Sequence, residues 1–265
     1  MLCEAQKIGR VQRTSRLEEI GQVECSGFRV MESGFKMTHP ASRIALLLAW
    51  LFLCPVTSLR PDGDTGNKPL KFRGITLDLK NKRVEVKGRI CLDQGLIEYL
   101  ACAKGGKEHE SLLVMDCKPH ELFLALQTLG LRPGKGVGFQ GERRTPSGDK
   151  VYLYLEYNDD KRVVRHRVED LVWNIQAKKS MARTPWIFVG SRFSKDPDTG
   201  KPVFMAQLER NIIATFHDPF AIFDHPLETG ADDTFYHSNE KLVPQVGTPI
   251  KLIILKEELK EKDQK

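Results

Sequence analysis

The side chains most able to do chemistry are concentrated in one segment, residues 98–111. A thiol, an imidazole, a hydroxyl and three carboxylates lie there around a Gly-Gly turn. A thiol or a hydroxyl becomes a nucleophile when an imidazole beside it removes the proton. No Gly-x-Ser-x-Gly elbow or cysteine-protease signature surrounds these residues, so the sequence defines no reaction. The candidates for a catalytic role are Cys102, His109, Glu98 and Ser111.

Zinc binding is a second chemistry compatible with these residue types, because zinc accepts sulfur, nitrogen and oxygen ligands. The candidate ligands are Cys102, His109 and His120. Their spacing matches no zinc signature, and Leu113 stands where a His-Glu-x-x-His motif starting at His109 needs its second histidine. An iron–sulfur cluster is disfavoured, because such clusters need closely spaced cysteines. We predict no cofactor, with zinc as the alternative.

A polar loop that binds a ligand without reacting is the alternative to catalysis in the same segment. In this interpretation Cys102 packs as a small apolar residue, as free cysteines commonly do. Trp186 lies outside the segment and is expected either to contact a ligand or to pack in the core. The candidate binding residues are Lys107, Glu108, Glu110 and Trp186.

The amino-terminal part predicts export. Residues 44–54 are an uncharged apolar run that is too short to span a bilayer as a helix but has the length of a signal-peptide core. We interpret residues 37–58 as a signal peptide, with an uncleaved anchor or a buried helix as the alternative. Residues 1–36 are interpreted as a mis-assigned start or a disordered lead, and residues 59–68 as a linker. The expected location is extracytoplasmic, in the periplasm or secreted.

The remaining chain predicts an α+β fold, a single sheet-rich domain over residues 69–256 with mostly antiparallel strands and one principal helix. Apolar and polar residues alternate over 74–79 and 84–90, and again over 151–157 and 162–168. Because side chains in a strand point alternately to opposite faces, each pair of runs predicts a hairpin.

The helix and the strands around the polar segment can be predicted in the same way. Pro119 and a stripe of leucines at helical spacing predict a helix over about 119–130. The apolar runs 96–103 and 111–115 are expected to form neighbouring antiparallel strands, because the loop between them is short. Residues 257–265 form a charged tail.

Composition limits the possible partners. The formal net charge is +6, and the basic residues are interspersed with acidic ones. A nucleic-acid-binding protein is expected to show a clustered basic face instead, so we predict no nucleic-acid partner. Contact with a membrane is expected through the signal segment alone. Three cysteines follow residue 58, which allows one disulfide with a free thiol or three buried thiols. They are Cys91, Cys102 and Cys117.

A family resemblance runs through most of residues 72–255. The residues that carry it are 91–95, Glu98, Cys102, 107–111, 129–130 and 186–191. With these the chain resembles the YdjY-like domain of bacterial exported proteins. The resemblance implies an extracytoplasmic protein with no established biochemical activity. The chain departs from the expected pattern at residues 217–219, where we expect a more amide-rich turn.

The sequence as a whole favours a non-enzymatic binding module of the cell envelope or the extracellular space. The expected partner is an envelope or extracellular ligand whose chemistry the sequence does not define. The alternative is a metal-dependent or thiol-dependent enzyme that uses residues 98–111. The sequence does not decide whether the protein is an enzyme, and it favours a protein without enzymatic activity.

Overall fold

The computed structural model describes residues 68–160, 162–196 and 198–260. The lead and signal peptide predicted for residues 1–58, and residues 261–265 of the tail, lie outside the described residues. Within the described ranges, no helix has the length and apolar character needed to cross a membrane.

The described residues form sixteen strands and two α-helices. The strands are β1 Leu70–Phe72, β2 Ile75–Asp78, β3 Arg83–Ile90, β4 Tyr99–Ala103, β5 Ser111–Met115, β6 Asp149–Asp159, β7 Arg162–Arg167, β8 Val172–Asn174, β9 Lys179–Ser180, β10 Trp186–Phe188, β11 Phe193–Lys195, β12 Pro202–Phe204, β13 Asn211–Ala214, β14 Phe223–Asp224, β15 Tyr236–Ser238 and β16 Pro249–Leu255. The helices are α1 Pro119–Thr128 and α2 Met205–Glu209. Single 3-10 turns span Glu108–Glu110, Val168–Leu171 and Glu228–Ala231.

Eight of these strands form a closed barrel, so the prediction of an α+β fold is wrong. The order is β3-β16-β6-β10-β14-β13-β4-β5, and β5 pairs again with β3. Closure depends on a long strand that changes partners along its length. β3 pairs with β2 over Arg83–Val86 and with β5 over Gly88–Ile90. Strand β2 therefore pairs with only the first half of β3, and the barrel closes through the pairing of the second half with β5.

The locally encoded elements agree with the sequence. The two predicted hairpins are confirmed as the antiparallel pairs β2–β3 and β6–β7. The predicted helix is confirmed as α1, which begins at a proline and buries Leu122 and Leu126 in the main hydrophobic core. Gly130 has a φ of +84°, the left-handed conformation with which a helix commonly ends.

The two strands around the polar segment pair differently from the prediction. β4 and β5 are parallel, with Tyr99 opposite Ser111 and Ala103 opposite Met115. The antiparallel expectation is wrong because each strand takes its direction from another partner, β13 for β4 and β3 for β5. The loop that includes the turn Glu108–Glu110 must therefore carry the chain back to the start of β4.

Candidate functional site

A buried hydrogen-bond network joins the start of β4 to the turn after β13. The Tyr99 hydroxyl donates a hydrogen bond of 2.7 Å to Oδ2 of Asp218. Asn211 Nδ2 donates to both of these groups. Each of the three residues is at most 2% exposed. Burial, together with the neighbouring Asp218 carboxylate, raises the pKa of Tyr99, so its hydroxyl remains a proton donor.

Lys107 extends this network toward the surface. Its Nζ lies 3.1 Å from the Tyr99 hydroxyl and 3.3 Å from Oε1 of Glu110. Glu98 lies near Lys107 and Glu110, because the charges of both act on its pKa. Burial, followed by the charge of Glu110, raises the pKa of Glu98, and the charge of Lys107 lowers it. The fold therefore brings together Glu98, Lys107 and Glu110 from the predicted segment.

Cys102 and His109 are not brought together as nucleophile and base. Cys102 is fully buried in β4, and burial raises its pKa to about 11. The His109 side chain is 80% exposed, with Nε2 at 3.7 Å from a Glu110 carboxylate oxygen. Ser111 is also buried, and its hydroxyl donates to the Lys107 carbonyl oxygen at 2.7 Å. The thiol of Cys102 thus lies in the core, the imidazole of His109 lies at the surface, and the hydroxyl of Ser111 is bonded to the backbone of the loop that precedes it.

The other predicted site residues have partners within the fold. Glu108 Oε1 accepts a backbone N–H of its own loop at 2.7 Å. Trp186 is 0% exposed, and its indole N–H donates to Oε1 of Glu169 at 3.1 Å. Nδ1 of His120 lies 2.9 Å from Oε1 of Gln207. Trp186 is therefore a core residue, and the candidate metal ligands do not converge.

Three potential metal ligands do meet elsewhere among the described residues, at His217, Asp224 and His225. Nδ1 of His217 lies 2.7 Å from Oδ1 of Asp224, which also accepts the backbone N–H of His225 at 2.7 Å. A carboxylate can only accept, so Nδ1 carries the proton, and Nε2 is an acceptor when the ring is neutral. Oδ2 of Asp224 is buried and has no hydrogen-bond partner among the described residues.

The geometry does not fit a metal ion shared by these three side chains. Nε2 of His225 lies 2.9 Å from the Thr215 carbonyl oxygen, and its Nδ1 accepts the backbone N–H of Leu227 at 3.2 Å. Burial lowers the pKa of His225, so the ring is neutral and both of its nitrogens are already used. What remains is a hydrogen-bonded pair of His217 and Asp224.

A cavity of about 420 Å³ opens beside His217. Its charged lining comes from two segments, with Arg143 and Arg144 preceding β6 and Glu228 and Asp232 in and just after the 3-10 turn. The hydrogen bonds from Thr234 lower the pKa of Asp232, which keeps it a carboxylate. The apolar lining residues are Pro226, Leu227, Ala231 and Phe235, and Thr145 and Thr229 add hydroxyl groups. The cavity thus offers positive, negative and apolar groups to one small molecule.

Residues 75–255 match the model of the YdjY domain. The chain belongs to the YdjY domain family. No curated protein and no solved structure matches it. The YdjY domain of this chain therefore includes the complete barrel and both segments of the buried network.

Six buried residues that form these polar contacts were not predicted as site residues from the sequence. They are Tyr99, Asn211, His217, Asp218, Asp224 and His225. One signal points to them, since the dipeptides 217–218 and 224–225 each combine His with Asp and flank a largely apolar run. Ionisable residues within an apolar run are unusual, because burial of a charge costs free energy.

Proposed function

We propose that this YdjY domain is an exported, non-enzymatic binding module whose ligand is an apolar α-amino acid. The observation that carries the proposal is the buried pair of Asp224 and His217, of which His217 lines the cavity. Burying an ionisable pair costs free energy that packing of apolar side chains does not cost. A pocket with a few convergent polar groups is the usual candidate for a binding site. The pair therefore supports a function for the cavity.

The lining provides a group for each part of an amino acid. The guanidinium group of Arg143 matches the geometry of a carboxylate. Arg144, which also pairs with Glu142 Oε1 at 2.9 Å, adds positive charge. Asp224 orients His217 so that Nε2 can accept a hydrogen bond from the ammonium group, and Glu228 and Asp232 add negative charge. The apolar lining packs against the side chain of the ligand.

The alternative of a metal-dependent or thiol-dependent enzyme at residues 98–111 has less support. Cys102 is buried and mostly protonated at neutral pH, because its pKa is about 11. His109 is on the surface, and His120 contacts Gln207. A nucleophile, a base and an open site are not combined there, which favours binding as the function.

Isothermal titration of the full chain tests the ligand. The probes are L-leucine, N-acetyl-L-leucine, which lacks the ammonium group, and L-leucinamide, which lacks the carboxylate. We expect L-leucine to bind, and each derivative to bind at least about tenfold more weakly, because one charged partner is left unpaired. Equal affinities for the three compounds, or no binding of L-leucine, would contradict the proposal.

A charge-matched pair of variants tests the position of the ligand. Arg143→Gln with Arg144→Gln should weaken the binding of L-leucine more than that of L-leucinamide, since the carboxylate loses its partners. Arg162→Gln with Lys179→Gln removes the same charge from exposed positions on β7 and β9 and should leave both affinities unchanged.

Export is the second part of the proposal and is supported by the sequence of residues 37–58. Amino-terminal sequencing of the protein recovered from cells tests it. We expect a mature chain that starts near residue 59 and is found outside the cytoplasm. An intact amino terminus on a cytosolic product would contradict export without affecting the proposed ligand.

A further inference from the structure

A second cavity lies where the two parallel strands end. The carboxyl ends of β4 and β5 are adjacent, because Ala103 pairs with Met115. The cavity has a volume of about 540 Å³ and lies at these two ends, beside the first turn of α1.

Positive charge dominates the lining of this cavity. Its one acidic lining residue is Asp116. The five cationic lining residues are Arg73, Lys87, Lys104, Lys118 and Arg210. They come from five separate segments of the chain, so the sequence shows no basic cluster. The fold alone brings them together.

Most of this positive charge is not neutralised within the described residues. Lys118 Nζ lies 3.7 Å from Oε1 of Glu121, and Arg210 donates to the carbonyl oxygen of Gly105, which carries no charge. Three further cations have no carboxylate within 4 Å among the described residues, namely Arg73, Lys87 and Lys104. Like charges in one cavity repel each other, and a bound anion offsets the free energy of this repulsion.

We propose that this basic cavity, lined by Arg73, Lys87, Lys104, Lys118 and Arg210, binds a phosphate or diphosphate group. A single carboxylate would compensate one of the five charges, whereas a phosphate carries up to two negative charges at neutral pH. Lysine and arginine are the side chains that bind phosphate in proteins. The α1 N-terminus adds partial positive charge, because the N-cap residue Lys118 makes no side-chain capping bond.

Titration of the full chain with inorganic phosphate and with pyrophosphate tests the site. We expect pyrophosphate to bind more tightly than phosphate, and its affinity to fall as salt rises, because each ionic contact is screened. Sedimentation with vesicles of phosphatidylcholine and phosphatidylglycerol separates the two sources of the phosphate group. Pyrophosphate binding without vesicle binding assigns a soluble ligand, and binding of both assigns a lipid headgroup.

Two double variants decide whether the basic cavity is the site of pyrophosphate binding. Lys87→Gln with Lys104→Gln should weaken pyrophosphate binding at least about tenfold and leave L-leucine binding unchanged. The matched control is Lys179→Gln with Lys201→Gln, two exposed lysines outside the cavity. Absence of pyrophosphate binding in the wild type, or an equal loss in both double variants, would overturn the proposal. Neither result bears on the amino-acid cavity.

Discussion

The Tyr99 hydroxyl donates a 2.7 Å hydrogen bond to Asp218 Oδ2, across 119 positions of the chain. This contact connects the predicted polar segment to the turn that carries His217. Because β13 pairs with β4, Asn211 lies beside both residues and completes the network. The network therefore links the loop of Lys107 to Asp218, which follows directly after the cavity-lining residue His217.

Removal of the Tyr99 hydroxyl tests the contribution of this contact to stability. Tyr99→Phe leaves Asp218 with one fewer donor in a buried position, which should lower the free energy of unfolding by about 1–3 kcal/mol. Tyr157→Phe is the control, because the Tyr157 hydroxyl makes no hydrogen bond to the described residues. Urea unfolding followed by circular dichroism measures both changes. Equal losses would mean that the Tyr99–Asp218 bond is not stabilising.

The thiol of Cys102 should be unreactive in the folded protein. With a pKa of about 11, only about one thiol in a thousand is ionised at about pH 8. Alkylation by iodoacetamide, read by peptide mass spectrometry, should modify the partly exposed Cys91 before Cys102. His109→Ala should leave the rate at Cys102 unchanged. A fast reaction at Cys102 that slows in His109→Ala would instead support a nucleophilic Cys102 activated by His109.

Glu169 should be among the residues most important for stability. It forms a bidentate ion pair with Arg167, and both side chains are at most 1% exposed. Glu169→Ala leaves a buried guanidinium with reduced compensation, which should cost about 3–5 kcal/mol. Glu258 also contacts Arg167 but is 47% exposed, so Glu258→Ala should cost under about 1 kcal/mol. Similar thermal shifts for the two variants would contradict this ranking.

The sequence was sufficient for elements that form from neighbouring residues. Helix α1 follows from a proline, a leucine stripe and Gly130, all within one segment. The hairpins β2–β3 and β6–β7 follow from alternation across short turns. Strand pairings between distant segments leave no such local signal. The α+β prediction failed for this reason, since closure of the barrel depends on β3 pairing with β5.

The candidate site was predictable only in part for the same reason. Glu98, Lys107 and Glu110 lie close together in the chain and in space. His217 and Asp224 meet because β13 and β14 are parallel neighbours, a pairing that loop length does not determine. Their charge is visible in the sequence, but their burial follows from the packing of the whole barrel.

Acid should destabilise the fold through His225. Burial lowers its pKa, so the folded protein keeps the ring neutral while the unfolded chain binds a proton below about pH 6.5. Stability should be constant above about pH 6.5 and fall as the pH decreases below it, by at most about 1.4 kcal/mol per pH unit for one proton.

Urea unfolding at about pH 7.5 and about pH 5.5 measures this loss. His225→Gln should reduce the loss, and the remainder should come partly from His166, whose pKa burial also lowers. His109→Gln changes an exposed ring and should leave the pH dependence as in the wild type. An unchanged pH dependence in His225→Gln would show that this ring is not responsible.

Nitrogen-15 NMR of the full chain with labelled histidine tests most directly whether Asp224 holds His217 as the acceptor for the ligand. The resonances absent from His217→Gln identify this ring. We predict a protonated Nδ1 and an unprotonated Nε2, and a change in the Nε2 shift on addition of L-leucine while His109 stays constant. A protonated Nε2, or an Nε2 shift that L-leucine does not change, would contradict the account.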